Sequence, residues 1–256
     1  MTTPVEIHLY DAPSKLSDKA WSPNPWKIRY ALNYMKIPYR TIWVEYPEIA
    51  PACIKIGAPP SRMNPDGSPY YSVPTIYDPN TGKAISDSEK IMEYLESTYP
   101  SPPERSLVPA GTWPLQLAFI HAIFTPSVIL PLLPFAITRS TMILNEVSVP
   151  HFLEARKPLF GGRSLAEVEP KGESRATEWK KVEEGFGIIN SWTAEQKGTF
   201  LMGDRVIYVD FVVAGLVRWI RLIFGEDSEE WRSVKTWHGG RWERLVNELE
   251  QYTTVV

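Results

Sequence analysis

Val73-Pro74-Thr75-Ile76-Tyr77-Asp78-Pro79-Asn80-Thr81-Gly82-Lys83-Ala84-Ile85-Ser86-Asp87-Ser88-Glu89 holds a strand, a turn, a return strand and a helix start in one run. Val73 to Asp78 is β-branched and aromatic and opens on a proline, which suits the first position of a strand. Asp78 to Lys83 is rich in turn formers, so Lys83-Ala84-Ile85 returns as the second arm of a hairpin. Ser86 and Glu89 stand at capping-box spacing, with Ser86 as the expected N-cap. The helix behind them carries Ile91, Tyr94, Leu95 and Thr98 on one face and stops before Pro100.

Upstream, Val5 to Tyr10 alternates apolar and polar residues and reads as a half-buried strand. Trp26 to Met35 places Ile28, Ala31, Leu32 and Met35 at helical spacing, and Tyr39 to Glu45 reads as a second strand. Pro47 to Ser72 predicts one short helix near residues 50–56 and then a long proline-rich loop. The order β-α-β-(α)-β-β-α defines an α/β domain over residues 1–100. Residues 101–112 read as a linker. From 113 to 256 the periodicity is helical throughout, over 113–125, 127–145, 148–159, 174–192, 209–224 and 240–252, so the second domain is all-α. Glu226-Asp227 and Glu229-Glu230 read as a solvated loop between helices.

Composition excludes several classes. The 256 residues carry a net charge of −3 and 22% charged side chains, which leaves no basic footprint for nucleic acid. The most apolar stretch, 115–137, is broken by Pro126, Pro131 and Pro134, so no membrane span is expected. The N-terminal residues lack the pattern of a secretory signal, and a single cysteine, Cys53, suits a reducing cytoplasm and reads as a small buried hydrophobe. His8, His121, His151 and His238 lie far apart, with no metal-ligand spacing; His121, in an apolar stretch, reads as a core residue. Nucleotide-binding glycine motifs and a hydrolase nucleophile elbow are absent. The 24 prolines and 10 tryptophans stand out, and the tryptophans offer large aromatic surface for a core or for a ligand.

With these elements in order, the chain resembles the cytosolic glutathione transferases over nearly its whole length. Trp21-Ser22-Pro23-Asn24-Pro25-Trp26-Lys27 and Ile37-Pro38-Tyr39-Arg40-Thr41 are similar, more narrowly, to the fungal etherase-like (FuA-type, serine) class of wood-degrading fungi. The resemblance implies a thioredoxin-like N-terminal domain (βαβ-α-ββα) that binds glutathione, and a helical domain that adds a hydrophobic acceptor site.

By the same resemblance, Ser22 hydrogen-bonds the glutathione sulfur at a strand-to-helix turn, with Asn24 as a second candidate donor. A thiol near pKa 8.5 is mostly protonated at neutral pH, so a donor that favours the thiolate makes the nucleophile. Plain helix capping by Ser22, with Pro23 at the first helical position, is the competing reading. Val73-Pro74 would be the cis-proline whose neighbour pairs with the cysteinyl unit through its backbone. Asp87 and Ser88 would hold the γ-glutamyl end, Ser88 the carboxylate and Asp87 the ammonium; capping explains this pair too.

The acceptor site is expected between the domains. Trp113, Phe119, Phe124, Ile129, Leu132, Leu133 and Phe135 would supply apolar surface, and Trp21 or Trp26 would stack on an aromatic ligand. A core role for the same stripe remains open. Tyr70, Tyr71 and Ser72 would add polar contacts at the mouth, beside the long 59–71 loop. Further on, Gly203-Asp204 and Asp210 resemble the family's helix-start motif, but Ile207 stands where a hydroxyl cap is expected.

The expected activity is attack by the glutathione thiolate on aromatic electrophiles or peroxides, in the detoxification of wood-derived compounds, with no metal and a homodimeric habit. The alternatives are a polyphenol carrier (a ligandin) on the same fold, and an interaction module that kept the fold without the chemistry.

Overall fold

Alternation sends Ile7 and Leu9 to one face of the first strand and Tyr10 to the other. In the computed structural model, which describes residues 5–193 and 197–256, this strand is β1 (Ile7–Asp11). It is followed by α1 (Pro23–Met35), β2 (Tyr39–Trp43), α2 (Ile49–Lys55), β3 (Arg62–Met63), β4 (Pro69–Tyr70), β5 (Thr75–Asp78), β6 (Lys83–Ser86) and α3 (Ser88–Thr98). The main sheet runs β2-β1-β5-β6, with β1 parallel to β2 and antiparallel to β5. Leu9 sits opposite Ile76, so the buried faces of β1 and β5 coincide. On one side α1 and α3 cover Ile7, Leu9 and Ile76. On the other, α2 sets Ile49 and Cys53 against Tyr10 and Val44. Burial pushes the Cys53 thiol above its ordinary value, which makes it a poor nucleophile.

Two expectations in this half are corrected. The helix cap is Asp87, whereas Ser86 ends β6 and bonds its hydroxyl to that of Thr75 at 3.1 Å. Asp87 has φ 81°, so the chain turns one residue later than the capping-box spacing implies. Its carboxylate accepts from the Glu89 and Lys90 N–H groups. The 59–71 loop, in turn, folds as the small β3-β4 hairpin.

The helical half contains α4 (Trp113–Ile123), α5 (Leu133–Ile143), α6 (Val149–Glu154), α7 (Leu165–Val168), α8 (Glu173–Ser191), α9 (Tyr208–Phe224) and α10 (Glu229–Glu248). The helix expected over 127–145 is shortened, because Pro131 and Pro134 lack the N–H that a continuous ladder needs. The loop expected at 226–230 is instead the start of α10. Ser228 accepts from the Trp231 N–H at 3.0 Å, and Glu229 and Glu230 occupy the first turn, where the helix dipole favours them. The continuous helix expected from residue 240 is the second half of α10, which breaks at His238, Gly239 and Gly240, all with positive φ.

Helix α9 is the axis of the molecule. Every residue from Tyr208 to Ile220 is buried, and α9 packs chiefly on α1. That contact is close because Gly215 has no side chain; a Cβ there would lie 2.9 Å from the Pro23 carbonyl oxygen. Gly215→Ala is therefore expected to destabilise the fold by about 1–2 kcal/mol, overpacking outweighing the roughly 1 kcal/mol of added helix propensity. It should also displace the turn at Ser22. Thermal melting checks this; a variant that melts where the native chain does would show that the helices part at no cost.

Candidate functional site

The start of α1 is built from Ser22-Pro23-Asn24-Pro25, and its chemistry follows from the two prolines. Ser22 is the N-cap, in extended conformation at φ −73° and ψ 134°. A capping hydroxyl ordinarily accepts from the second or third helical N–H. The third residue is Pro25, which has none, and the Ser22 side chain makes no capping bond. The Trp26 N–H closes the first helical bond on the Ser22 carbonyl at 3.2 Å. Asn24 thus carries the one remaining N–H in the unpaired first turn. Neither the Ser22 hydroxyl nor the Asn24 side chain has a hydrogen-bond partner among the described residues.

Both residues open into a cleft of about 520 Å³. Its other walls are Tyr46, Ile49 and Ala50 around the start of α2, Arg62 and Pro69 to Val73 from the small hairpin and its exit, and His151, Ala155, Arg156 and Leu159 from α6 onward. The Val73-Pro74 bond is cis, and the Val73 N–H and carbonyl have no backbone partner among the described residues. The structure therefore gathers Ser22, Asn24, Val73, Tyr70, Tyr71 and Ser72 at one opening.

The expected aromatic wall is elsewhere. Trp21 and Trp26 are each 1% exposed, so neither has a face to stack on a ligand. Trp21 donates its indole N–H to the Ala12 carbonyl at 3.1 Å and meets Phe152 edge-on. Trp26 lies under the Arg218 guanidinium, 4.2 Å from its ring centre, with its indole nitrogen unpartnered. The cause is that α1 is enclosed by the sheet, α3 and α9, so both tryptophans flanking Ser22 turn inward. Trp113 bonds Glu93 and tilts against Tyr208. Phe119 meets Trp192 edge-on, and Phe124 is partly exposed beneath the Lys27 ammonium. None of these five aromatics lines the cleft, and Ile129, Leu132 and Phe135 are buried core. His121, expected in the core, has a side chain 68% exposed and lies 3.5 Å from Glu89.

Asp87 and Ser88 form a neighbouring polar cluster outside the cleft lining. The Ser88 carbonyl accepts from the Tyr208 hydroxyl at 3.1 Å, which ties α3 to α9, while the Ser88 hydroxyl is unpartnered among the described residues. Lys27 joins this cluster. It lies one turn along α1 from Asn24, is 5% exposed, and has no hydrogen bond or ion pair among the described residues. Burial lowers its ammonium to about 8, and the charges of Glu89 and Asp87 oppose that fall.

The cleft itself is cationic. Its lining has Arg62 and Arg156 and no carboxylate among the described residues. Arg62 stacks on Tyr70 at 4.3 Å, whereas Arg156 lies 3.5 Å over the Phe152 ring and donates to the Phe152 carbonyl and the Tyr46 hydroxyl. Burial raises the Tyr46 phenol, keeping it neutral. The nearby Glu45 carboxylate is occupied by Ser148 and Asn145. Sequence reading missed Lys27, Tyr46 and Arg156. Nothing along the chain joins Tyr46 to Arg156; only the packing of α6 against the turn before α2 does. Among the described residues no group of His, Cys, Asp and Glu could hold a metal, and no helix is long and apolar enough to cross a membrane.

Comparison with known proteins converges on one family. Residues 21–98 match the model of the glutathione S-transferase N-terminal domain, and residues 114–252 match that of the C-terminal domain. The glutathione S-transferase-like protein ustS of Aspergillus flavus is 30% identical, over 96% of this chain and 90% of its own. A glutathione S-transferase of Ceriporiopsis subvermispora, solved with glutathione, is 41% identical with a TM-score of 0.91, covering 98% of this chain and 99% of its own. Glutathione transferase GSTFuA3 of Phanerochaete chrysosporium is 37% identical with a TM-score of 0.90, covering 99% and 100%.

Proposed function

As this chain belongs to the glutathione S-transferase family, we propose that it activates glutathione at the start of α1 and transfers the tripeptide to small aromatic electrophiles. The observation that carries this reading is that Ser22 and Asn24 line one cleft and that the Ser22 hydroxyl makes no capping bond to the helix it begins, Pro25 having removed one of its two usual donors. A hydrogen bond to a charged acceptor is worth roughly 1.5–3 kcal/mol. At about 1.4 kcal/mol per pKa unit, one such donor lowers a bound thiol by one to two units. That suffices to make the thiolate a major species near neutral pH.

Glutathione then lies along the exit of the small hairpin. The Val73 backbone pairs with its cysteinyl unit, the Ser88 hydroxyl and N–H take the γ-glutamyl carboxylate, and the Asp87 oxygen that is not engaged in capping takes the ammonium. The thiol proton leaves to solvent. The thiolate attacks carbon, forming C–S as a leaving group departs with its bonding pair, or adds to an isothiocyanate carbon whose nitrogen then takes a proton. Aryl ethers and hydroperoxides are further candidate acceptors. The reading includes a homodimeric, cytoplasmic enzyme that detoxifies wood-derived aromatics.

The test pairs calorimetry of glutathione binding with turnover of phenethyl isothiocyanate and cumene hydroperoxide. Binding with conjugation of the isothiocyanate supports the reading. Binding with no turnover of either acceptor would favour a carrier of polyphenols, and no binding would leave an interaction module.

A further inference from the structure

We infer that the acceptor this cleft is made for carries an acid group, an aryl carboxylate, and that Arg156 takes that group; the inference rests on the transferase reading above. Arg156 is half-buried in the part of the cleft lining that the helical half supplies and makes no ion pair among the described residues. Its partners are neutral: the Phe152 ring beneath it, the Phe152 carbonyl at 2.9 Å and the Tyr46 hydroxyl at 3.3 Å. A guanidinium has five N–H donors in a planar fork that fits a carboxylate through two parallel bonds. Two are spent here, one at long distance, so the fork keeps capacity for an anion.

Glutathione does not account for this charge. On the reading above its γ-glutamyl carboxylate would go to Ser88, and its glycyl carboxylate would have a cation on its own domain, Arg62, on the hairpin that leads to Val73. Arg156 belongs to the helical wall of the cleft, where an acceptor would lie on the same reading. The lining holds no carboxylate among the described residues, and Glu45, the neighbour of Tyr46 in the chain, is held by Asn145 at 2.7 Å and by Ser148.

Anionic acceptors are the harder case for a transferase, because the thiolate and the glycyl carboxylate repel them. A preference for an acid over its own ester is therefore diagnostic. Ser22 would hold the thiolate while Arg156 holds the ring carboxylate, and attack on the ring carbon forms C–S as chloride leaves with the C–Cl bonding pair.

The experiment compares 4-chloro-3,5-dinitrobenzoate with its methyl ester, each rate divided by the uncatalysed rate with glutathione at the same pH. The protein as it stands is expected to favour the acid at least tenfold in kcat/KM. Arg156→Met should reduce that ratio at least fivefold, and Arg156→Lys should recover part of it. A native preference for the ester overturns the inference without any variant. So does a ratio unmoved by Arg156→Met, and so does a loss confined to KM for glutathione, which would move Arg156 to the tripeptide. Phenethyl isothiocyanate separates the two levels. If it is conjugated while both chlorides are refused, the acid-group inference falls alone; if all three are refused, the transferase reading falls with it.

Discussion

Ser22→Ala is expected to lower glutathione-dependent kcat/KM ten- to a hundredfold while leaving the melting temperature within about 2 °C. The two halves of this expectation come from one feature. An N-cap serine normally stabilises its helix by about 1 kcal/mol, but here Pro25 has no N–H to receive and the Ser22 side chain caps nothing. Removing the hydroxyl therefore costs the fold little. What it removes, on the proposed reading, is a donor to a developing thiolate, worth roughly 1.5–3 kcal/mol. The pH profile carries a signature that a structural role would not produce. The pKa limiting kcat/KM should rise by about one unit in Ser22→Ala, since each unit is about 1.4 kcal/mol. Asn24→Ala keeps the backbone N–H of residue 24 and removes just the side chain, so its effect should be smaller. Turnover that survives Ser22→Ala and collapses in Asn24→Ala would transfer the role to the Asn24 amide.

Much of this fold could be read from local pattern. Ile7, Leu9 and Tyr10 alternate, Asp78 to Gly82 turns, and Ile91 to Leu95 repeats at helical spacing, each a property of neighbours in the chain. The start of α1 was equally legible, because Ser22 before Pro23 reads as an N-cap with proline at the first helical position, and both stand there. The helical wall of the cleft was not. Arg156 meets Tyr46 across 110 positions through a packing contact with no linear signature. The tryptophans misled for a related reason. Trp21 and Trp26 flank the proposed sulfur site along the chain, yet α1 is enclosed nearly all round, and a helix so enclosed turns its flanking aromatics into core. The start of α10 did carry a signal, Ser228 followed by Glu229 and Glu230, which is a capped helix with an acidic first turn as readily as a solvated loop.

Asp210→Ala should produce the largest loss of stability, roughly 2–4 kcal/mol from two buried donors left unpaired, seen as a fall in melting temperature of about 5–15 °C. Ile207 has no hydroxyl to cap α9, so the burden passes to Asp210, three residues on. One of its carboxylate oxygens accepts from the Ile207 N–H and the other from the Leu201 N–H, each at 2.8 Å, and its side chain is wholly buried. That single carboxylate joins the loop before α9 to the helix that positions Pro23. Burial raises its pKa from 3.8 to about 7, against the pull of the two N–H groups and Arg241. The sign of the pH effect follows. Between about pH 4 and 7 the folded chain keeps a proton that the unfolded chain releases, so this group's contribution falls as pH rises and is spent above 7. The stability gap between the native protein and Asp210→Ala should therefore be wider at pH 5 than at pH 8, by something on the order of 2 kcal/mol. Melting curves of both proteins across that range decide it. A gap that widens toward pH 8 would mean that the two N–H groups outweigh burial and hold Asp210 ionised. A fall under 2 °C at every pH would mean that α9 does not depend on this cap.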